Sequence, residues 1–290
     1  MKLATINDNG KIKAGMIIGN EFVCCVDGDK ADMAVLSIIR NGGSVASWEA
    51  LVDKAERRNL DNVEILPPIP HLIRDMVCVG KNYYAHAKEF FDSGFDATQK
   101  ETIPSEPIIF TKSMTSLIGP NDAINASIDP TDSVDYEGEL GVIISKTAKR
   151  VSKSDWEDYV FGYVIINDVT SRELQKKHNQ WTIGKGLDTF GPMGPYIVTK
   201  DEIDDLDSMK IQTLVNGELR QQAEVRDLIF DIPTLIETIT LTGTLLAGDV
   251  IATGTPVGVG IGFTPPKFLK SGDTVTINVT GLGSLTNPVI

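Results

Sequence analysis

Three cysteines in 290 residues exclude a disulfide framework: Cys24 and Cys25 are adjacent, Cys78 stands alone, and none has C-x-x-C spacing. The thiols read as small buried hydrophobes in a reducing, cytoplasmic setting. Histidine is equally scarce, with only His71, His86 and His178, which argues against a zinc centre built on imidazole. Positive charge is short as well: 27 Lys and Arg stand against 40 Asp and Glu, a formal net charge of −13. No basic stripe is present to displace counterions from a phosphate backbone, so nucleic acid is excluded as a partner. No apolar run approaches the ~18 residues of a membrane helix. "MKLATINDNGK" has one lysine and no following apolar core, so neither a membrane span nor a signal peptide is read. The G-x-x-x-x-G-K-S/T phosphate loop, a convincing G-x-G-x-x-G and the G-x-S-x-G elbow are also missing. With 41% hydrophobic and 23% charged residues, the chain is an ordinary globular one, long enough for one large core or two domains.

Residues 1–66 read as a small α+β unit, with strand-like "MKLATI", "KAGMIIG" and "EFVCCVDG" followed by helical "MAVLSIIRNG" and "WEALVDKAERR". The cluster "LPPIP" (66–70) reads as a linker, because proline fixes φ and pushes the preceding residue out of the helical region. Residues 67–290 are β-rich, with runs such as "DMVCVG", "PIIFTK", "YVIINDVT" and "DTVTINVTG" bounded by Gly, Pro, Asn or Asp. Helical patterns interrupt them at "NYYAHAKEFFDSG", "SKSDWEDYVFG", "SRELQKKHN" and "IPTLIETITL", the last opened by Asp231 with Pro233 in its first turn. The fold class is mixed α+β and β-rich. Absence of strict strand–helix alternation excludes a doubly wound or TIM-barrel layout.

The chemistry concentrates in a few stretches. In "DYEGELGVII" (135–144), Glu137 and Glu139 are two apart and share a face of a strand. Two sheltered carboxylates so close repel unless a cation sits between them, and a hard divalent ion is suited to that place; the alternative is a pair facing water. In "GYVIINDVTSREL", Asp168 follows an apolar strand and is either a third carboxylate for that ion or the cap of the next helix. In "GKNYYAHAKEF", His86 and Glu89 lie on one helix face, the arrangement of a carboxylate-oriented general base, although such pairs also arise by chance. Lys185, between Gly184 and Gly186, is either an anion-binding ammonium or a turn lysine. The glycine-rich "GDVIATGTPVGVGIG" (248–262) offers Thr253, Thr255 and backbone N–H groups to a carboxylate.

Taken in order, "GKNYYAHAKE", "PIIFTKSMTSLIGP", "DYEGELGVII", "GYVIINDVTSRELQ", "QWTIGKGLDTFGPMGP", "NGELRQ" and "GDVIATGTPVGVG" resemble the fumarylacetoacetate hydrolase family over about residues 70–290. The resemblance implies a mixed β-sheet roll with short helices, preceded by a small N-terminal domain and usually forming a homodimer, around Mg²⁺ or Mn²⁺, with Ca²⁺ as a further candidate. It places Glu137, Glu139 and Asp168 on the metal carboxylates, and His86 and Glu89 on a dyad carried by a lid. Lys185 falls on the lysine that stabilises an anionic oxygen, Arg172 and Gln175 on side chains near the substrate, and Thr255 on the threonine that holds its carboxylate. Gly186 departs from a frequent serine without removing a ligand. The implied reaction is hydrolysis of a C–C bond in a 2,4-dioxo (acylpyruvate or diketo) acid through a metal-stabilised enolate, with His86 activating water, as in aromatic compound catabolism. Decarboxylation of oxaloacetate and isomerisation or hydration of unsaturated 2-oxo acids are the alternatives, and a non-catalytic 2-oxo acid binding protein is a third. Residues 91–105 are expected to shape the lid and the size of substrate admitted.

Overall fold

The computed structural model describes residues 1–95 and 101–290, so part of the 91–105 stretch lies outside the described residues. The first 66 residues supply β1 (Lys2–Asp8), β2 (Lys11–Ile18), β3 (Glu21–Asp27), helix α1 (Ala34–Arg40), the single turn α2 (Ala46–Glu49), β4 (Arg57–Asn59) and β5 (Glu64–Leu66). Then come β6 (Met76–Gly80), helix α3 (Tyr84–Asp92), β7 (Ile108–Lys112), β8 (Leu117–Ile118), β9 (Val134–Asp135), β10 (Gly138–Ile144), β11 (Val160–Asn167) and β12 (Thr170–Ser171). Helices α4 (Arg172–Lys177) and α5 (Thr182–Lys185) lead into β13 (Gly191–Thr199). The chain closes with β14 (Lys210–Val215), β15 (Glu218–Glu224), helix α6 (Ile232–Thr242), β16 (Val250–Ala252), β17 (Thr274–Val279) and β18 (Gly283–Pro288).

Among the described residues twelve strands form one mixed sheet, ordered β4-β3-β2-β1-β13-β11-β10-β16-β6-β7, with β5 beside β1 and β8 beside β13. A second sheet of four strands runs β15-β14-β17-β18. This is the mixed, β-rich roll that the sequence implies. The large sheet continues into the first residues, where β1 pairs antiparallel with β13 and Leu3 stands opposite Ile197.

Burial accounts for the strand patterns. β10 and β11 are buried at every position, as central strands covered on both faces must be, and so they read as continuous apolar runs. One face packs Leu140, Val142 and Ile165 against Ile211 and Ile277 of the second sheet. The other packs Ile143, Val164 and Ile166 with Leu3 and the buried side of α1. β17 alternates buried and half-buried residues, as a strand covered on one face does. Helix α6 begins as expected, with the Asp231 side chain accepting the Thr234 N–H at 2.9 Å and proline in the first turn.

Two expected helices differ. Within 48–58 only the turn Ala46–Glu49 is helical, and Arg57 and Arg58 join edge strand β4. The segment is too short and too charged to offset the cost of helix nucleation, and Arg58 instead binds Asp8 on β1 at 2.9 Å. Within 152–162 a 3₁₀ turn at Trp156–Tyr159 gives way to β11 at Val160. There Gly162 lets the β13 backbone approach to where a Cβ would lie 2.2 Å from the Val198 carbonyl oxygen. No helix among the described residues is long and apolar enough to cross a membrane.

Leu3 is fully buried in the core beneath the large sheet. Leu3→Ala is expected to lower the unfolding free energy by about 2–5 kcal/mol, read from urea titrations followed by circular dichroism. A loss under about 1 kcal/mol would show that the first strand adds little to the core.

Candidate active site

Strand pairing assembles the acids. β10 pairs with β11, Gly138 opposite Asn167, so Asp168, just past the end of β11, stands beside Glu137. The Asp168 N–H donates to the Glu137 carbonyl at 2.9 Å, and Asn167 Oδ1 accepts the Glu137 N–H at 3.0 Å. Carboxylate oxygens of Glu137, Glu139 and Asp168 lie within 4.8 Å of one another, and all three residues are buried. The glutamate pair therefore does not face water. Nor does Asp168 cap the next helix, which starts at Arg172 behind Ser171.

Three buried cations thread this cluster. Lys185 Nζ donates to Glu137 Oε2 at 2.7 Å and to Asp168 Oδ2 at 2.6 Å. Arg172 donates through Nε to Asp135 Oδ2 at 2.9 Å, and its Nη1 lies 2.6 Å from Glu137 Oε1. Lys112 Nζ lies 3.0 Å from Asp168 Oδ1, but it donates to the carbonyls of Val169 at 2.9 Å, Phe190 at 2.8 Å, and Lys185. Asp168 Oδ1 is thus buried beside a positive charge without receiving a hydrogen bond from the described residues, which leaves its lone pairs for a cation. Glu139 has no salt bridge among the described residues; its Oε2 accepts the Gly254 N–H at 2.8 Å.

These positions set the protonation states. Burial pushes the Glu139 carboxyl well above the usual range, and Asp168 and Glu137 push it the same way. Burial acts on Glu137 too, but Lys185 and Arg172 outweigh it and hold that carboxyl at about 2. Burial pulls Lys185 down, and Asp168 with Glu137 more than restore it, so it stays an ammonium. Four acids (Asp135, Glu137, Glu139, Asp168) therefore meet three bases (Lys112, Arg172, Lys185), and a proton on Glu139 makes the cluster neutral. The all-oxygen triad, the free lone pairs on Asp168 and the uncompensated Glu139 fit a hard divalent cation. In place of the proton, such an ion would leave one net positive charge, which suits an anionic substrate.

Beside the triad lies a cavity of about 10 Å³ lined by His86, Glu137, Arg172, Gln175, Lys185 and Thr255, among others. It has room for about one water, so a substrate enters only if α3 or its surroundings shift. His86 on α3 keeps its Nδ1 3.1 Å from Glu89 Oε2. Arg172 Nη2 is buried without a hydrogen-bond partner among the described residues. Every site residue expected from the sequence is thus gathered: six on the cavity wall, Glu139 and Asp168 in the triad, and Glu89 behind His86.

The glycine-rich stretch differs from expectation in its target. Its N–H groups hold the protein's own acids: Gly254 donates to Glu139 at 2.8 Å, Gly258 to Glu89 at 3.0 Å, and Gly260 and Ile261 to Asp135 at 2.6 and 3.1 Å. Gly258 has φ +107°, and a Cβ there would lie 2.0 Å from the Arg220 carbonyl oxygen; a Cβ on Gly262 would lie 1.8 Å from Glu89 Oε1. The Thr255 hydroxyl donates to the Gly138 carbonyl at 3.0 Å and accepts from Gln221 at 2.8 Å. Gly184 serves packing rather than ligand approach, since a Cβ there would lie 2.5 Å from the Gln175 nitrogen.

Three supporting residues escape sequence reasoning. Asp135 is two before Glu137, so the same period-two argument applied one step earlier would have found it. Lys112 ends the apolar run "PIIFTK", and a lysine closing an apolar strand is a signal for a charge partner there. Gln221, which also accepts the Gly138 N–H at 3.0 Å, carries no comparable signal.

Comparison with known proteins places this geometry. The description "Fumarylacetoacetate (FAA) hydrolase C-terminal" matches residues 75–290. Oxaloacetate tautomerase YisK of Bacillus subtilis (strain 168) is 42% identical over 309 aligned residues, spanning 100% of both chains. The solved fumarylacetoacetate hydrolase of psychrophilic Exiguobacterium antarcticum is 37% identical with a TM-score of 0.86, covering 100% of this chain and 99% of that one. Maleylpyruvate hydrolase of Sphingobium sp. SYK-6, solved with manganese(II) and pyruvate, is 31% identical with a TM-score of 0.80 and the same coverage.

A divalent ion that enters the triad displaces the proton which burial and two neighbouring carboxylates keep on Glu139. Mn²⁺ affinity is therefore expected to rise with pH by up to about tenfold per unit above the usual carboxylate range, with proton release on binding. Calorimetry in buffers of different ionisation enthalpy measures both; affinity flat between about pH 5 and 8 would contradict the raised carboxyl.

Proposed function

Because the chain belongs to the fumarylacetoacetate hydrolase family, we propose that it is a divalent-metal-dependent enzyme that forms the enolate of a short 2-oxo acid. The reaction proposed is keto–enol tautomerisation of an oxaloacetate-class dicarboxylate, the reaction for which its full-length relative is named. One observation carries the reading: a single small cavity joins a carboxylate-backed histidine to Arg172, Gln175, Lys185 and the edge of the acid triad. Proton transfer and anion binding then occur at one place.

Mg²⁺ or Mn²⁺ held by Glu137, Glu139 and Asp168 would supply Lewis acidity to the keto and carboxylate oxygens of a 2-oxo acid and so acidify its C3. Arg172 Nη2, free of other partners among the described residues, binds the carboxylate together with Gln175, and Thr255 joins them once its hydroxyl turns from the Gly138 carbonyl. The Lys185 ammonium faces the oxygen on which negative charge grows as the C3 proton leaves. His86 takes that proton on Nε2 and delivers it to the enolate oxygen, which completes the enol with no net change in protons and runs backwards to the keto form, while Glu89 on Nδ1 fixes the tautomer and supports the imidazolium. Closure of α3 over the cavity excludes water and strengthens each contact.

Hydrolysis of an acylpyruvate is the second reading, supported by the likeness to a maleylpyruvate hydrolase solved with pyruvate. There the same dyad would take its proton from water, and that water would attack the distal carbonyl. Decarboxylation of oxaloacetate shares the enolate. The thiols, none of them in a disulfide, suit a reducing cytoplasm, and the family likeness supports a homodimer.

Turnover of oxaloacetate, acetylpyruvate and fumarylpyruvate with Mg²⁺, with Mn²⁺ and with EDTA separates these readings, following enol absorbance and pyruvate together. Metal-dependent enol decay without pyruvate is the expected outcome. Pyruvate from a diketo acid would make the chain a hydrolase, pyruvate from oxaloacetate a decarboxylase, and silence throughout would sink the enolate reading. His86→Gln is expected to lower kcat by about 10²–10⁴-fold and to leave Mn²⁺ binding within about threefold. Unimpaired turnover in that variant would remove His86 from the proton transfer.

A further inference from the structure

One wall of the cavity is aromatic, and the mechanism above gives it no part. Trp181 is the largest residue on that wall among the described residues, and Phe90 and Phe110 line the cavity with it. Trp181 stands at the head of α5, and its carbonyl accepts the Lys185 N–H at 3.0 Å, so the turn that carries the ammonium also carries the indole. The Phe90 ring meets the indole edge-on at 5.9 Å and 81°, and the Phe110 ring meets it at 5.1 Å and 70°. Contacts of this kind are favourable and fix the rings relative to one another. Gly80, at the end of β6, makes room for them: a Cβ there would lie 2.2 Å from the indole Cζ3. The strand forgoes a side chain at that point, and the indole seats directly on its backbone.

Two cations border this wall. Arg172 Cζ lies 6.0 Å from the centroid of Phe90, and Lys185 Nζ lies 5.2 Å from the centroid of Phe110. The indole touches both rings, so it stands midway along a row that has a cation at each end. An acid held by both cations lies against that middle member. The rings also differ in what carries them. Phe90 belongs to α3, the helix that shifts when a substrate enters, whereas Phe110 belongs to β7 and the indole rests on β6, both in the large sheet. Movement of α3 therefore takes Phe90 away and leaves the indole in place.

We propose that Trp181 limits the length of the 2-oxo acid admitted, accepting four-carbon acids and rejecting longer ones by contact of the indole with the carbons beyond C4. The inference rests on the 2-oxo acid reading above and goes beyond it by assigning the determinant of substrate length, which the sequence alone placed within residues 91–105.

The test uses two unreactive analogues. Oxamate keeps the carboxylate and keto oxygen of a 2-oxo acid with nitrogen in the place of C3, and N-butyloxamate extends the chain from that nitrogen without changing the head. Calorimetry with the Mn²⁺-loaded protein gives both dissociation constants. Wild type is expected to favour oxamate by about tenfold or more. Trp181→Leu should close that gap by tightening N-butyloxamate, with oxamate held within about threefold. Trp181→Phe keeps an aromatic edge for Phe90 and Phe110 and should fall between the two. Equal weakening of both ligands in the two variants would overturn the proposal, since a residue that only supports the fold acts on both alike. So would a preference unchanged in both variants, or wild type that binds N-butyloxamate as tightly as oxamate. Wild type that binds neither analogue in the presence of Mn²⁺ would instead refute the 2-oxo acid reading, and with it the premise of the proposal.

Discussion

Everything at this site depends on burying acids and bases together in nearly equal number. Burying an unpaired carboxylate costs several kcal/mol even after relaxation, yet Asp135, Glu137, Glu139 and Asp168 all lie inside the molecule. Lys112, Arg172 and Lys185 reduce that cost, and each comes from a different element: the end of β7, the first turn of α4 and the end of α5. The strands must converge at this point for the charges to compensate. Glu139 is the acid left over, and that imbalance is what makes the centre receptive to a divalent ion and, once loaded, to an anion.

The surrounding backbone is fitted to that cluster. Lys112 gathers three main-chain carbonyls, two of which bracket the loop from Lys185 to Phe190. The stretch from Gly254 to Ile261 spends its N–H groups on Glu139, Glu89 and Asp135. A single loop thus touches a carboxylate of the triad, the partner of His86 and the partner of Arg172. Glycine there buys close approach of backbone to carboxylate, not flexibility. The central strands are covered on both faces, so the cluster is set in a rigid frame while the histidine comes from a helix at its margin.

Much of this is legible in the sequence, because the acids sit at strand positions where period two is unambiguous. Glu137 and Glu139 share a face, and Asp168 follows a continuous apolar strand, so the three stand out as candidates before any fold is known, and the family likeness is what groups them on one ion. Sequence order also carries the family likeness. The alternatives at Asp168 and Lys185 needed tertiary structure: whether a residue caps a helix or faces an acid depends on what another strand brings opposite it. Residues 152–162 show the same limit, since a charged helical pattern yields to a strand wherever a neighbouring edge is available for pairing. Lys112 and Gln221 act on partners more than fifty residues away in sequence, and local pattern does not encode such pairings.

Diffraction from crystals soaked in Mn²⁺ and oxalate, with anomalous differences collected at the manganese edge, examines the charge balance most directly. One manganese peak is expected within coordination distance of Glu137, Glu139 and Asp168, with oxalate reaching toward Arg172 and Lys185. Manganese bound elsewhere, or none bound while Lys185 still bridges Glu137 and Asp168, would mean that the buried acids serve only to balance the buried bases.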